Sequence, residues 1–239
     1  MVQSTLPIYV QIANDLRQKI QGGVYQAGDK LPSQKQLGAQ FGVNRHTVRQ
    51  AFDLLKDEGL LRVDKGLGAF IADAPICYPI GKRVRYNESL QAKGYTSQYQ
   101  LIQTGEVPAD EKVADYLSIP VGDPVIQLDL LGLVDGRPLI VSTSYFPSLR
   151  FPNLLKHIQH VRSISKLMRD VYGRDHIRQR TYISTRAVRS QDARLLQVPI
   201  NQPILLVQAI NVDQDNGVIE YTVTRFRGDG VELMFDHTY

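Results

Sequence analysis

The sequence predicts an α+β protein of two domains: a helical N-terminal domain closed by a β-hairpin, and a larger C-terminal domain built on an antiparallel sheet. Three observations carry that prediction. Apolar residues recur at helical spacing over residues 6–59, and a glycine-rich turn between two short apolar runs follows them. From about residue 96 onward, long β-type runs are joined at Asp135-Gly136 and Asn216-Gly217, dipeptides that tolerate the positive φ of tight hairpin turns. Strands joined by hairpins form an antiparallel sheet rather than a βαβ core. With 239 residues and 43% apolar content the chain can bury a core in each domain.

In "LPIYVQIANDLRQKIQGG", Ile8, Ile12, Leu16 and Ile20 fall every four residues, Val10 and Ala13 widen the stripe, and Gly22 and Gly23 end the helix. Ser33 and Gln36 form a capping box, which starts a second helix running to about Gln40. Asn44 caps a third, whose Val48, Ala51, Phe52 and Leu55 face inward and which ends near Gly59. "LLRVDKGLGAFIAD" reads as two short strands around a turn at Lys65, Gly66 and Gly68. This order is that of a winged helix-turn-helix, assigned to residues 1–73. Residues 74–87, with two prolines and a Lys82, Arg83, Arg85 cluster, read as a linker. In 88–239, "SQYQLIQTGEVP", "PVIQLDLLGLV", "RPLIVSTSYFP", "IRQRTYISTRAVRS", "PILLVQAINV", "VIEYTVTRFRGD" and "VELMFDH" read as strands. "NLLKHIQ" and "SISKLMRDVYG" read as helices.

Composition excludes several classes. The lone Cys77 cannot form an internal disulfide, and no Cys/His set has zinc-site spacing. His157 and His160 could share a helix face, but nothing nearby completes a metal site, so no metal or cofactor is expected. No apolar run has membrane-spanning length and no signal-peptide pattern opens the chain; a soluble, cytoplasmic protein is expected. Net charge is +4, which permits a nucleic-acid partner without demanding one.

The third helix carries the chemistry. Arg45 and Arg49 are four apart on one face, with His46 and Thr47 beside them. A recognition helix reads base edges with its N-terminal residues, and an arginine fork matches the two acceptors of guanine. Taken alone, that face could be an ordinary solvated one. The capped helix before it, the "GVN" turn and the glycine-rich hairpin after it move the reading to double-stranded DNA.

The stretch from Pro7 to Ala72 resembles the DNA-binding domain of the GntR superfamily of bacterial transcription regulators. It keeps Tyr9, Gln11, Leu31, Pro32, Ser33, Arg45, Thr47, Val48, Arg49, Glu58, Gly59, Leu60, Gly66, Gly68 and Phe70 of the family pattern. The usual S-E-R-E is "SQKQ" here, so Lys35 stands where an arginine is common, keeping the charge and losing the planar fork. Asn44 replaces a Ser or Thr cap, His46 occupies a variable position, and Ala69 replaces a wing threonine. The resemblance implies DNA contacts from Lys35, Arg45, His46, Thr47 and Arg49, flanked by the caps Ser33 and Asn44. It also implies that the wing at Lys65 and Gly66 enters the minor groove.

"VADYLSIPVGDPVIQL", "DGRPLIVSTSYFP", "SISKLM" and "IEYTVTRFRGD" resemble the UTRA effector domain of the HutC subfamily, whose fold is like that of chorismate lyase. "YPIGKRVRYN" is similar to the linker of phosphonate-operon regulators. The resemblance implies a ligand-responsive repressor that binds a palindromic operator as a homodimer and answers a small-molecule effector. Relatives that bind phosphorylated sugars carry two arginines on the strand before the Asp-Gly hairpin, where this chain has Asp129, Leu130 and Gly132. The remaining anion site is the start of "SISKLM", where Ser163 as cap and the N–H groups of Ile164 and Ser165 would form a nest. Arg186 and Arg225 could add charge, and Glu220 matches a ligand-contacting position; Phe226 stands where a tyrosine is expected. Each has a plainer reading: Ser163 as a helix cap only, Glu220 as an arginine's ion-pair partner, Arg186 as an exposed strand residue. A phosphonate or phosphorylated metabolite follows from the resemblance; a sugar phosphate or a non-phosphate ligand remains open because of the missing arginines. The C-terminal half shows no nucleophile–base pair, metal set or glycine-rich phosphate loop, so an enzyme is not expected.

Overall fold

The computed structural model describes residues 6–83, 90–92, 94–158 and 163–235. Arg85 and the rest of 84–87 in the segment read as a linker, and His160, lie outside the described residues. The chain divides into two compact units, the first made of residues up to 75 with 197–199 and the second of the remainder.

The first unit contains α1 (Ile8–Gln21), α2 (Gln34–Phe41), α3 (Arg45–Asp57), β1 (Leu61–Asp64) and β2 (Gly68–Ile71). Both bonds of the α2 capping box are present: the Gln36 N–H donates to Ser33 Oγ at 3.3 Å, and the Ser33 N–H donates to Gln36 Oε1 at 2.9 Å. Ile12, Leu16, Leu37, Val48, Phe52 and Leu55 close one core between the three helices, each such side chain contributing about 1.5–3 kcal/mol. Arg17 of α1 forks onto Glu58, the residue capping α3, at 2.7 Å. Both partners are about a third exposed, so the pair contributes at most about 1 kcal/mol.

The turn between α2 and α3 is tight. Gly42 takes φ 67°, and a Cβ on Gly38 would meet the Val43 carbonyl oxygen at 2.9 Å. Glycine at 38 lets the backbone of the turn fold back against α2 just before α3 begins.

The second unit adds β3 (Ile76–Pro79), β4 (Ser97–Pro108), α4 (Glu111–Leu117), β5 (Pro124–Val134) and β6 (Arg137–Pro147). A 3₁₀ turn (Ser148–Arg150), α5 (Leu154–Ile158), α6 (Ile164–Tyr172), β7 (Ile177–Ala187) and α7 (Ser190–Leu195) follow. The unit closes with β8 (Pro203–Val212), β9 (Val218–Arg227) and β10 (Val231–Met234). Six strands form one antiparallel sheet in the order β4-β5-β6-β9-β8-β7. Asp135 and Gly136 both have positive φ, 48° and 77°, the type I′ geometry that the dipeptide predicts.

The segment read as a linker is corrected in part. Ile76–Pro79 is a strand, paired in parallel with Val231–Met234, and Tyr78 is buried against Phe226 at 6.0 Å between ring centroids. Its partner lies about 150 residues away, so no local signal marks it. The two short helices α4 and α7 carry no periodic signal in the sequence. Asp110 caps α4 by accepting from the Val113 N–H at 2.7 Å.

The sheet is covered on both faces. Phe146, Phe151, Leu154 and Met168 pack α5 and α6 on one face, while Val113, Leu117 and Tyr221 pack α4 on the other. Among the described residues no helix is long and apolar enough to cross a membrane.

Gly38→Val should lower stability by about 2–3 kcal/mol, since the branched side chain cannot clear the Val43 carbonyl. A thermal melt would register the loss in the transition of the N-terminal unit.

Candidate DNA interface and effector site

Asn44 Oδ1 accepts from the Thr47 N–H at 2.9 Å and from the Thr47 hydroxyl at 3.1 Å. This pair of hydrogen bonds fixes the first turn of α3 and engages Thr47 with the cap. Arg45, His46 and Arg49 stand exposed beside it, while Val48, Ala51, Phe52 and Leu55 are buried on the opposite face. Arg45 Nε donates to Gln34 Oε1 of α2 at 3.0 Å, which orients the guanidinium and leaves its terminal nitrogens for a base or phosphate. Lys35 lies exposed on the first turn of α2, and Lys65 and Gly66 lie exposed at the hairpin tip. Ser33, Lys35, Arg45 and Gly66 line one groove of this unit. Of the residues expected to contact DNA, the groove brings together Ser33, Lys35, Arg45 and Gly66.

In the second unit, Ser163 caps α6, accepting from the Lys166 N–H at 3.4 Å. Two residues on, Ser165 Oγ lies 2.9 Å from His176 Nδ1, and His176 Nε2 lies 2.7 Å from Glu220 Oε2. Asn211 Nδ2 also donates to Glu220 Oε2, at 2.5 Å. Glu220 is 4% exposed. Burial raises its carboxyl, but the His176 charge and hydrogen bond, with bonds from Ser144 and Asn211, outweigh that and hold it below the usual glutamate value. Ser165 and Glu220 are thus linked through His176, a residue without a motif in the sequence; Ser163 and Ile164 precede Ser165 at the helix start, and Ser163 bonds to the Lys166 N–H.

Arg186 and Arg225 are not part of this group. Side chains alternate along β9, so Glu220 faces α6 and Arg225 faces the other side of the sheet. There Arg225 Nε pairs with Asp192 Oδ1 at 3.3 Å, Arg186 Nη2 with Asp192 Oδ2 at 3.2 Å, and Arg225 Nη2 donates to Thr143 at 2.9 Å. Asp129 belongs to the same network through Thr143, at 2.6 Å. Nor does β5 supply a cation: Leu130 packs into the α5–α6 core, and a Cβ on Gly132 would meet Tyr99 at 3.2 Å and Ile140 at 3.3 Å. The expected tyrosine position holds Phe226, buried at 3% exposure.

His176 and Asn211 were missed for different reasons. His176 is 11 residues from Ser165 and 44 from Glu220, with no pattern linking them. Asn211 pairs with Glu220 across the β8–β9 hairpin, so the Asn216-Gly217 turn did hold a signal for it. Among the described residues no group of three or more His, Cys, Asp or Glu could hold a metal ion.

A capped recognition helix beside a hairpin wing, joined to a sheet domain with a polar group buried at a helix start, defines a DNA-binding regulator with a sensor. Comparison with known proteins gives the family. Residues 8–71 match the gntR family of bacterial regulatory proteins and residues 92–232 match the UTRA domain. The chain belongs to the GntR family of transcription regulators with a UTRA domain.

It is 32% identical to the probable transcriptional regulator PhnF of Escherichia coli, over 96% of this chain and 95% of the relative. It is also 32% identical to the HTH-type transcriptional repressor PhnF of Mycolicibacterium smegmatis, over 84% and 82%. The crystal structure of PhnF from Mycobacterium smegmatis superposes with a TM-score of 0.67 at 28% identity, covering 95% of this chain and 99% of that one. These relatives are transcription regulators, not enzymes.

Two outcomes follow from this geometry. Asn44→Ala should cost about 1 kcal/mol of stability, measured by denaturant unfolding. Because the folded-state carboxyl of Glu220 lies below its ordinary value of 4.5, its contribution is present above that pH and lost as pH falls below it. Glu220→Gln should therefore narrow the gap between melting temperatures at pH 7 and at about pH 4.

Proposed function

We propose that this protein is a repressor that holds a palindromic operator as a homodimer in the cytoplasm. It releases the operator when a small anionic metabolite, a phosphonate or phosphate ester, settles at the start of α6. One observation supports the sensor half above all. The first turn of α6 runs directly into the Ser165–His176–Glu220 chain of hydrogen bonds, so an anion at the Ser163 cap would bear on residues that cross to the central strand. A helix start supplies N–H donors and the positive end of the dipole. An effector with unequal affinity for two arrangements of the protein shifts the balance between them, and the DNA-binding units would follow. The similarity to regulators named PhnF supports control of phosphonate or phosphate metabolism.

A second reading rests on Leu130 and Gly132. Without a β5 cation, a neutral hydroxylated ligand would be held by hydrogen bonds alone.

The DNA half is tested by gel shift on a duplex that the full-length protein selects from a random pool. Arg49→Ala should lose specific binding while melting normally, and unchanged affinity would sink the assignment. The effector half is tested by thermal shift of the full chain with phosphate, methylphosphonate, amino-sugar phosphates and carboxylates. An anionic hit should vanish in Ser163→Asp, which places negative charge at the helix start. A hit that survives the substitution, or a response to uncharged sugars alone, favours the second reading.

A further inference from the structure

The wing carries an apolar side chain that stands outside the unit's buried core. Leu67 sits at the tip of the β1–β2 hairpin, 49% exposed, and is absent from the core that α1, α2, α3 and the two strands close. Its N–H closes the turn onto the Asp64 carbonyl at 3.0 Å. Gly66, the third residue of that turn, has φ 82°, and Gly68, on the far side of Leu67, has φ 116°. Positive φ at the third position is the mark of a type II turn. The backbone on both sides of Leu67 is thus in conformations that side-chain-bearing residues avoid.

Leu67 lines a groove of mixed character, with Phe52 and Val63 on its walls beside cationic side chains. It lines the same groove as Lys35, Arg45, Gly66 and Gly68, with Lys65 exposed next to it in sequence. Lys30 stands over the Phe70 ring of β2 at 5.9 Å. A wing that worked by charge alone would be best served by a further lysine at its tip, since each neutralised phosphate releases counterions. A leucine there gains nothing from phosphate. Its favourable partners on DNA are the C–H walls of the sugars and the faces of partly unstacked bases in the minor groove. Apolar side chains such as leucine wedge there and bend the duplex, and the cost of bending depends on the sequence bent.

We propose that Leu67 is a specificity-determining residue that packs into the operator's minor groove and selects deformable base steps by shape. This rests on the DNA-binding role of the family, and assigns to Leu67 a part of the recognition that α3 does not supply.

The test uses the full-length protein, the duplex it selects from a random pool, and a scrambled duplex of the same composition. Affinities are measured by fluorescence anisotropy at several salt concentrations between about 50 and 200 mM, with hydroxyl-radical footprints of each complex. Leu67→Ala should weaken binding to the selected duplex about tenfold. Its affinity for the scrambled duplex and its salt slope should not change, because no charge is lost. The footprint should lose protection of minor-groove sugars where the wing lies. Leu67→Lys should bind both duplexes more tightly at low salt, with a slope steeper by about 0.9, and should not recover discrimination. Leu67→Ala with discrimination intact, or with equal losses on both duplexes, would overturn the proposal. Arg49→Ala separates the two levels. If it too keeps discrimination, recognition by α3 is wrong; if it loses discrimination while Leu67→Ala does not, only the role of Leu67 falls.

Discussion

A carboxylate removed from water must be given partners or be neutralised, and Glu220 on central strand β9 imposes that demand on the whole sensor unit. His176 at the entry to β7 and Asn211 on β8 both donate to one of its oxygens, and His176 in turn holds Ser165 of α6. This chain of bonds ties α6 to the sheet alongside the apolar packing of Leu167 and Met168. Breaking the set would leave a buried charge without compensation, which is far more costly than losing an exposed pair.

The opposite face of the same strand solves a similar problem separately. Arg225 is buried with Asp192, Arg186, Thr143 and Asp129 around it. Since adjacent side chains on β9 point to opposite faces, the two polar sets cannot merge, and the sheet's apolar layers close around each. One face then offers the helix start and its histidine, and the other holds α7 in place. The DNA-binding unit is governed by smaller terms: two side-chain caps, a close approach at Gly38 and a hairpin whose tip is set by glycines. These fix the angle at which Arg45 and Arg49 leave the surface.

Much of the fold was legible in the residues because its signals are local. The caps Ser33, Asn44 and Ser163 all act as the sequence predicts, each bonding within three residues of itself. The Asp135-Gly136 turn and the alternating strands around it are equally short-range. Helices α4 and α7, with seven and six residues, are too short for a 3.6-residue period to show. Strand β3 lies among prolines and looked like a connector because its hydrogen-bonding partner, β10, comes at the other end of the domain.

The sequence by itself determined the DNA-binding unit, its recognition helix and the family, since spacing of a few residues carries all three. It also supplied the components of the sensor site: a capped helix start and a glutamate on a strand. Only the tertiary structure decided which components meet. Ser165 and Glu220 join through His176 because the sheet order brings β7, β8 and β9 side by side, whereas Arg186 and Arg225 are turned away by the two-residue period of the strands. Which face a side chain takes depends on register between strands far apart in the chain, and no window along the sequence contains it.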